Sequence, residues 1–101
     1  MARIVRKERL KDMYEAILTL ETVEECEQFF EDICSATELS AMEQRYAVAD
    51  LLLDNTVYLD ILEKTKASTA TISRVKRMLN GGTGCLGKVI ARVREKKGVL
   101  K

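Results

Sequence analysis

The chain contains no proline, and it has no alternation of polar and apolar residues long enough to make a half-buried strand. Apolar residues instead recur at spacings of three and four throughout, the period that lines them along one face of a helix. Such a chain is expected to be all-α, with about six helices. The first, over 4–20, places Leu10, Met13, Tyr14, Ile17 and Leu18 on one face. Thr22 and Glu25 spell a T-x-x-E capping box that opens a second, carrying Val23, Cys26, Phe29, Phe30 and Ile33. Ser40 and Glu43 repeat that signal at the start of a third, which runs through Met42, Tyr46, Ala49, Leu52 and Leu53 to a polar stop at Asp54-Asn55-Thr56. A fourth helix over 57–65, a fifth over 68–80 and a last over 85–97 follow.

With 101 residues the chain is expected to be a single helical domain, 1–101, whose core is small enough for burial against a partner to matter. No apolar run is long enough to span a bilayer, and the basic start "MARIVRKERLK" has no apolar signal-peptide core. A cytoplasmic location is expected. Cys26, Cys34 and Cys85 form no C-x-x-C, and the chain has no histidine to complete a metal site. Reduced thiols packed as small hydrophobes are the expectation, with no metal and no cofactor. Without histidine the commonest general base is missing too, and no catalytic residue is assigned.

Charge is divided along the chain. Residues 1–63 carry 15 acidic and 6 basic side chains, a net of −9, whereas residues 64–101 carry 1 acidic and 11 basic, a net of +10. No acid stands between Lys64 and Arg94. A field segregated in this way suits a polyanion, and nucleic acid is the first candidate. The acidic stretch "ETVEECEQFFED" over 21–32 is read as a solvated helix face, the alternative being a surface that repels non-specific approach of DNA from the wrong side.

One glycine-rich stretch points elsewhere. "MLNGGTGCLGK" contains G-x-G-x-x-G at 82–87 and G-x-x-x-x-G-K at 82–88. Both motifs work only when a buried strand delivers the glycines to a helix N-terminus, and the segment before them is helical. Val89 also stands where a phosphate loop needs a hydroxyl to hold magnesium. The glycines are expected instead to end the fifth helix, with Asn80-Gly81 in the left-handed conformation, and to form a hinge or close helix contact.

The stretch that carries function is "YLDILEKTKASTATISRVKRML", over 58–79. It reads as a short helix, a turn at Thr65-Lys66-Ala67, and a second helix capped by Ser68 or Thr69. Ile61, Ala67, Ile72 and Val75 fall where a helix-turn-helix buries its core. Thr69, Ala70, Ser73, Lys76 and Arg77 then share the opposite face, polar and free of acids, as a helix entering the major groove requires. The plainer reading is an ordinary pair of helices whose polar face is solvated.

"ASTATISRV" over 67–75, preceded by Leu39, Ser40, Glu43 and an arginine-bearing helix, resembles the Trp repressor superfamily. The likeness is nearest to its Trp-repressor-like YerC/YecD branch of bacterial proteins, and it is dense over 37–80. The resemblance implies an intertwined homodimer built by the N-terminal helices, assigned to 1–55, with the helix-turn-helix at 57–80; the C-terminal helix, assigned to 83–101, rests on the apolar pattern alone. It also implies that Thr69, Ala70, Thr71 and Ser73 line the base- and phosphate-contacting edge of the reading helix. Arg45 and Arg74 match the arginines that flank the bound indole ring in the Trp repressor. Val75 replaces a glycine there and Met78 a serine, so a small effector between Arg45 and Arg74 is left open but tryptophan is not expected. Lys66 occupies a turn position where glycine is usual, and Leu59 and Leu62 replace basic residues.

The expectation is a non-catalytic, sequence-specific regulator, a repressor, that binds a palindromic operator in double-stranded DNA as a homodimer. Ser68, Thr69, Ala70, Thr71, Ser73 and Arg77 would face the bases and groove. Lys64, Lys66 and Lys76, with Lys88 as an addition, would hold phosphates. The alternatives are a helical protein that binds an acidic protein partner and, further off, nucleotide binding at 82–88.

Overall fold

The computed structural model describes residues 10–98, and among them are six helices and no strand: α1 (Lys11–Ile17), α2 (Val23–Ile33), α3 (Ala36–Leu53), α4 (Tyr58–Thr65), α5 (Thr69–Gly81) and α6 (Cys85–Lys97). The chain divides into two compact units, Met1–Ala36 and Thr37–Lys101. No helix among the described residues is long and apolar enough to cross a membrane. Residues 4–9 of the helix expected over 4–20 lie outside the described residues, and what is described of it stops at Ile17.

In the first unit, α2 begins as its capping signal predicts. The Thr22 hydroxyl accepts the Glu25 N–H at 3.0 Å, and the Glu25 carboxylate reaches back to the Glu21 N–H at 2.8 Å, one residue earlier than in the standard box. Phe29 and Phe30 meet edge to face, with ring centroids 5.2 Å apart. No residue of α1 or α2 is buried. Leu10, Met13, Tyr14, Leu18, Val23 and Ile33 all stand exposed.

The second unit holds the core. Val48 and Ala49 of α3, Ile61 of α4, Ala67 of the turn after it, Ile72 and Val75 of α5, and Ile90 of α6 are buried together, with Leu51, Leu52, Leu62, Leu79 and Leu86 packed against them. Each fully buried valine or isoleucine contributes about 1.5–3 kcal/mol by leaving water, so this small cluster is what holds the four helices to one another. The third helix starts at Ala36, not at Ser40. Two S-x-x-E frames overlap here, Ser35 to Glu38 and Ser40 to Glu43, and the earlier one coincides with the helix start. The α3 face expected to be apolar is also partly displaced: Val48 is buried, while Met42, Tyr46 and Leu53 are exposed.

The helix ends are set by local geometry. After α3, Asn55 takes the left-handed conformation at φ 58°, its N–H bonds to the Leu52 carbonyl and the Thr56 N–H to the Leu51 carbonyl. That double bond is a Schellman stop, and asparagine tolerates its backbone better than most residues. The end of α5 differs from expectation. Gly81 stays helical and neither Asn80 nor Gly81 turns left-handed; Gly82 caps the helix in an extended conformation at φ −89°. Glycine is needed at 82 because a Cβ there would lie 2.6 Å from the Met78 carbonyl oxygen. Left-handed backbone occurs at Gly84, φ 88°, where α6 starts. Arg94 then ties α6 to α3, donating to the Asp50 backbone carbonyl at 2.7 Å and its carboxylate at 2.6 Å.

Candidate nucleic-acid interface

The site is built on α4, the turn after it and α5. The four residues expected to form its core are buried: Ile61, Ile72 and Val75 at 0% exposure and Ala67 at 4%. Between the helices, Lys66 adopts φ 60° and ψ 16°, the left-handed turn in which glycine is the unstrained residue, and its N–H bonds to the Leu62 carbonyl at 2.9 Å. Three further bonds fix this turn. The Thr65 hydroxyl donates to the Ile61 carbonyl at 2.7 Å and accepts the Ala67 N–H at 3.1 Å, while the Gln44 amide, from α3, donates to the Thr65 carbonyl at 3.1 Å. A lysine held left-handed by this many partners carries its side chain outward at a fixed point of the surface, and Lys66 is exposed.

Ser68, rather than Thr69, caps α5. Its hydroxyl oxygen accepts the Thr71 N–H at 3.1 Å and its hydroxyl donates to the Thr71 side chain at 3.1 Å. Ser68 and Thr71 therefore have partners of their own before any ligand arrives. Tyr58, at the start of α4, donates from its hydroxyl to the Thr69 carbonyl at 3.4 Å and links the beginnings of the two helices. Thr69, Ala70, Ser73, Lys76 and Arg77 are all exposed, at spacings that keep them on one side of α5. Lys64 is exposed at the end of α4. No acidic side chain belongs to α5 or to the turn before it.

Arg45 is half-buried on α3 and Arg74 exposed on α5. Two shallow surface grooves nearby are lined without either arginine. One, of about 220 Å³, is formed by Leu52, Leu53, Lys76, Leu79, Asn80, Gly84 and Gly87; the other, of about 270 Å³, by Met78, Leu79, Thr83, Leu86 and three glycines. The motif segment at 82–88 follows α5 with no strand before it: Gly82 and Gly84 lie in the turn between α5 and α6, and Gly87 lies within α6. Among the described residues no group of histidine, cysteine or acidic side chains could hold a metal ion. Gln44 and Tyr58 were not singled out by sequence pattern. Gln44 acts across 21 residues, a distance over which helical periodicity says nothing; an aromatic residue opening α4 was the available sign for Tyr58.

Comparison with known proteins gives this arrangement a family. The uncharacterised protein YerC of Bacillus subtilis (strain 168) is 42% identical over 91 residues, which cover 90% of this chain and 88% of that protein. A solved TrpR-like protein from Eubacterium eligens ATCC 27750 is 44% identical and superposes with a TM-score of 0.76 over 91% of each chain. A candidate Trp repressor from Staphylococcus aureus, also solved, is 42% identical and superposes with a TM-score of 0.81 over 84% of this chain and 85% of its own. The sequence profile of the Trp repressor protein family matches residues 8–94, and the chain belongs to that family.

Proposed function

We propose that this protein is a sequence-specific DNA-binding transcriptional regulator, a repressor, that acts without catalysis as a homodimer on a palindromic operator. The observation that carries the reading is the exposed, acid-free side of α5 standing over a closed helix-turn-helix core. Membership of the Trp repressor family supports it. Thr69, Ala70, Ser73 and Arg77 are small or forked polar side chains suited to base edges in a major groove, and Ser68 and Thr71 frame the helix start. Lys64, Lys66 and Lys76 surround them with charge for phosphates, which position the protein without reading sequence. A protein partner is the weaker reading, because α5 itself carries no aromatic side chain of the kind that anchors protein interfaces.

Homodimerisation is assigned to residues 1–55, and the six large apolar side chains left exposed on the first unit support it. A two-fold dimer reads half-sites about 34 Å apart, one turn of duplex. Tryptophan is not proposed as effector. Val75 already fills its position with a buried side chain.

The test is selection of random duplex DNA by the purified protein, followed by binding of the selected sequence across a salt series. The expected outcome is an enriched palindrome with half-sites one turn apart, bound ever more weakly as salt rises. A flat pool bound only at low salt would overturn the sequence-specific reading.

A further inference from the structure

Basic side chains outside the helix-turn-helix form a second surface. On α6, Lys88, Arg92 and Lys96 follow one another at intervals of four, on the side opposite buried Ile90, and all are exposed. Of the basic residues on this helix, Arg94 alone is tied down, by Asp50. Among the described residues, Lys88, Arg92 and Lys96 have no ion-pair partner. Glu95 is the single acid of α6 and lies on the same exposed side. The stripe begins beside the proposed reading surface: Lys76 of α5 lines a groove together with Gly87, the residue before Lys88.

We infer that the Lys88–Arg92–Lys96 stripe binds the sugar-phosphate backbone of duplex DNA outside the half-site read by α5, and so lengthens the footprint of each protomer. This rests on the DNA-binding reading above. Charge complementarity names the occupant, because three unpaired cations in a row meet their natural partner in a line of evenly spaced anions. Dimensions agree. Eight residues of helix advance about 12 Å at 1.5 Å per residue, and the phosphates of one strand advance about 3.4 Å each along the duplex axis. Laid along that axis, the stripe covers about three to four phosphate steps, enough for one phosphate per cation. Such contacts carry affinity and register but no sequence information.

The experiment compares the wild type with the triple variant Lys88→Gln, Arg92→Gln, Lys96→Gln on two duplexes. One is the selected operator trimmed to its half-sites, the other the same operator with native-length flanks, both titrated by fluorescence anisotropy across a salt series. Each lost phosphate contact lowers the salt slope by about 0.9, so the triple variant should lose about 2 to 3 in slope on the flanked duplex. On the trimmed duplex it should match the wild type, and the base preference should not change. Equal slopes for both proteins on the flanked duplex would overturn the inference while leaving the reading of α5 intact. Unaltered DNA binding with lost binding to poly-glutamate would overturn it in favour of an acidic protein partner. Failure of the wild type to select any sequence would instead strike the DNA-binding reading itself. Should the triple variant lose its helical circular dichroism, Glu95→Gln decides: it removes the one acid from the stripe and should tighten binding to the flanked duplex alone, whereas unchanged binding to it overturns the inference.

Discussion

Lys66 shows how a single residue sits under two demands. Its left-handed backbone at φ 60° costs on the order of 1 kcal/mol relative to a residue without a Cβ, and the turn nevertheless carries lysine. Under the proposed function, the strain is offset by a phosphate contact at the corner of the motif. Lys66→Gly should therefore raise stability by about 1 kcal/mol, seen as a higher melting temperature by circular dichroism. The same variant should bind the operator more weakly, with a salt slope reduced by about 1. A variant that is no more stable would mean the surrounding bonds, from Thr65 and Gln44, have relaxed the turn. Arg77 and Lys76 separate in a different assay. Arg77→Gln should cost about 1–3 kcal/mol at one base pair and relax preference there. Lys76→Gln should weaken all sequences alike. If Arg77→Gln weakens binding uniformly, the arginine is a phosphate contact and base reading falls to the residues nearer the start of α5.

The elements were legible to different degrees, for physical reasons that can be named. The starts of α2 and α5 follow from hydroxyl caps at Thr22 and Ser68, because a cap is a local bond between residues three apart. The motif core was legible for the same reason: Ile61, Ala67, Ile72 and Val75 are fixed by helical period and one turn. The start of α3 falls at Ala36 and not at Ser40, because two adjacent S-x-x-E frames compete and the pattern alone does not rank them. The bond from Arg94 to Asp50 joins residues 44 apart in sequence and could not be read from spacing; it converts one member of the basic half into a structural tie. The pattern predicts a left-handed stop at Asn80-Gly81 and a hinge or close helix contact at the later glycines; Gly81 instead stays helical, and the constraint at Gly82 is space. With Met78 O only 2.6 Å from a hypothetical Cβ, Gly82→Ala should destabilise the protein by about 1–3 kcal/mol, the range for forced overpacking. A urea midpoint measures it, and an unchanged midpoint would show that α5 frays at its end without cost.

At the scale of the whole molecule, the two units differ in how far they satisfy themselves. Among the described residues the second closes a core of seven buried apolar side chains, whereas the first buries none of α1 or α2 and leaves Leu18 at 85% and Val23 at 70% exposure. Burying a large apolar side chain is worth about 1.5–3 kcal/mol, so half a dozen left in water are a strong drive toward association. Interlocking of these helices between two copies is the arrangement proposed here, and it has consequences for both mass and DNA binding. The protein should sediment at twice its 11.4 kDa chain mass. Leu18→Glu combined with Val23→Glu should place charge in the buried interface and yield a monomer, with the second unit still folded by circular dichroism. Because two linked half-sites gain about 10² to 10⁴ in avidity over one, that monomer should lose at least a hundredfold in operator affinity while keeping the wild-type base preference within each half-site. A variant that stays dimeric would move the interface away from α1 and α2, and a wild type that sediments as a monomer would remove the two-fold basis for a palindromic operator.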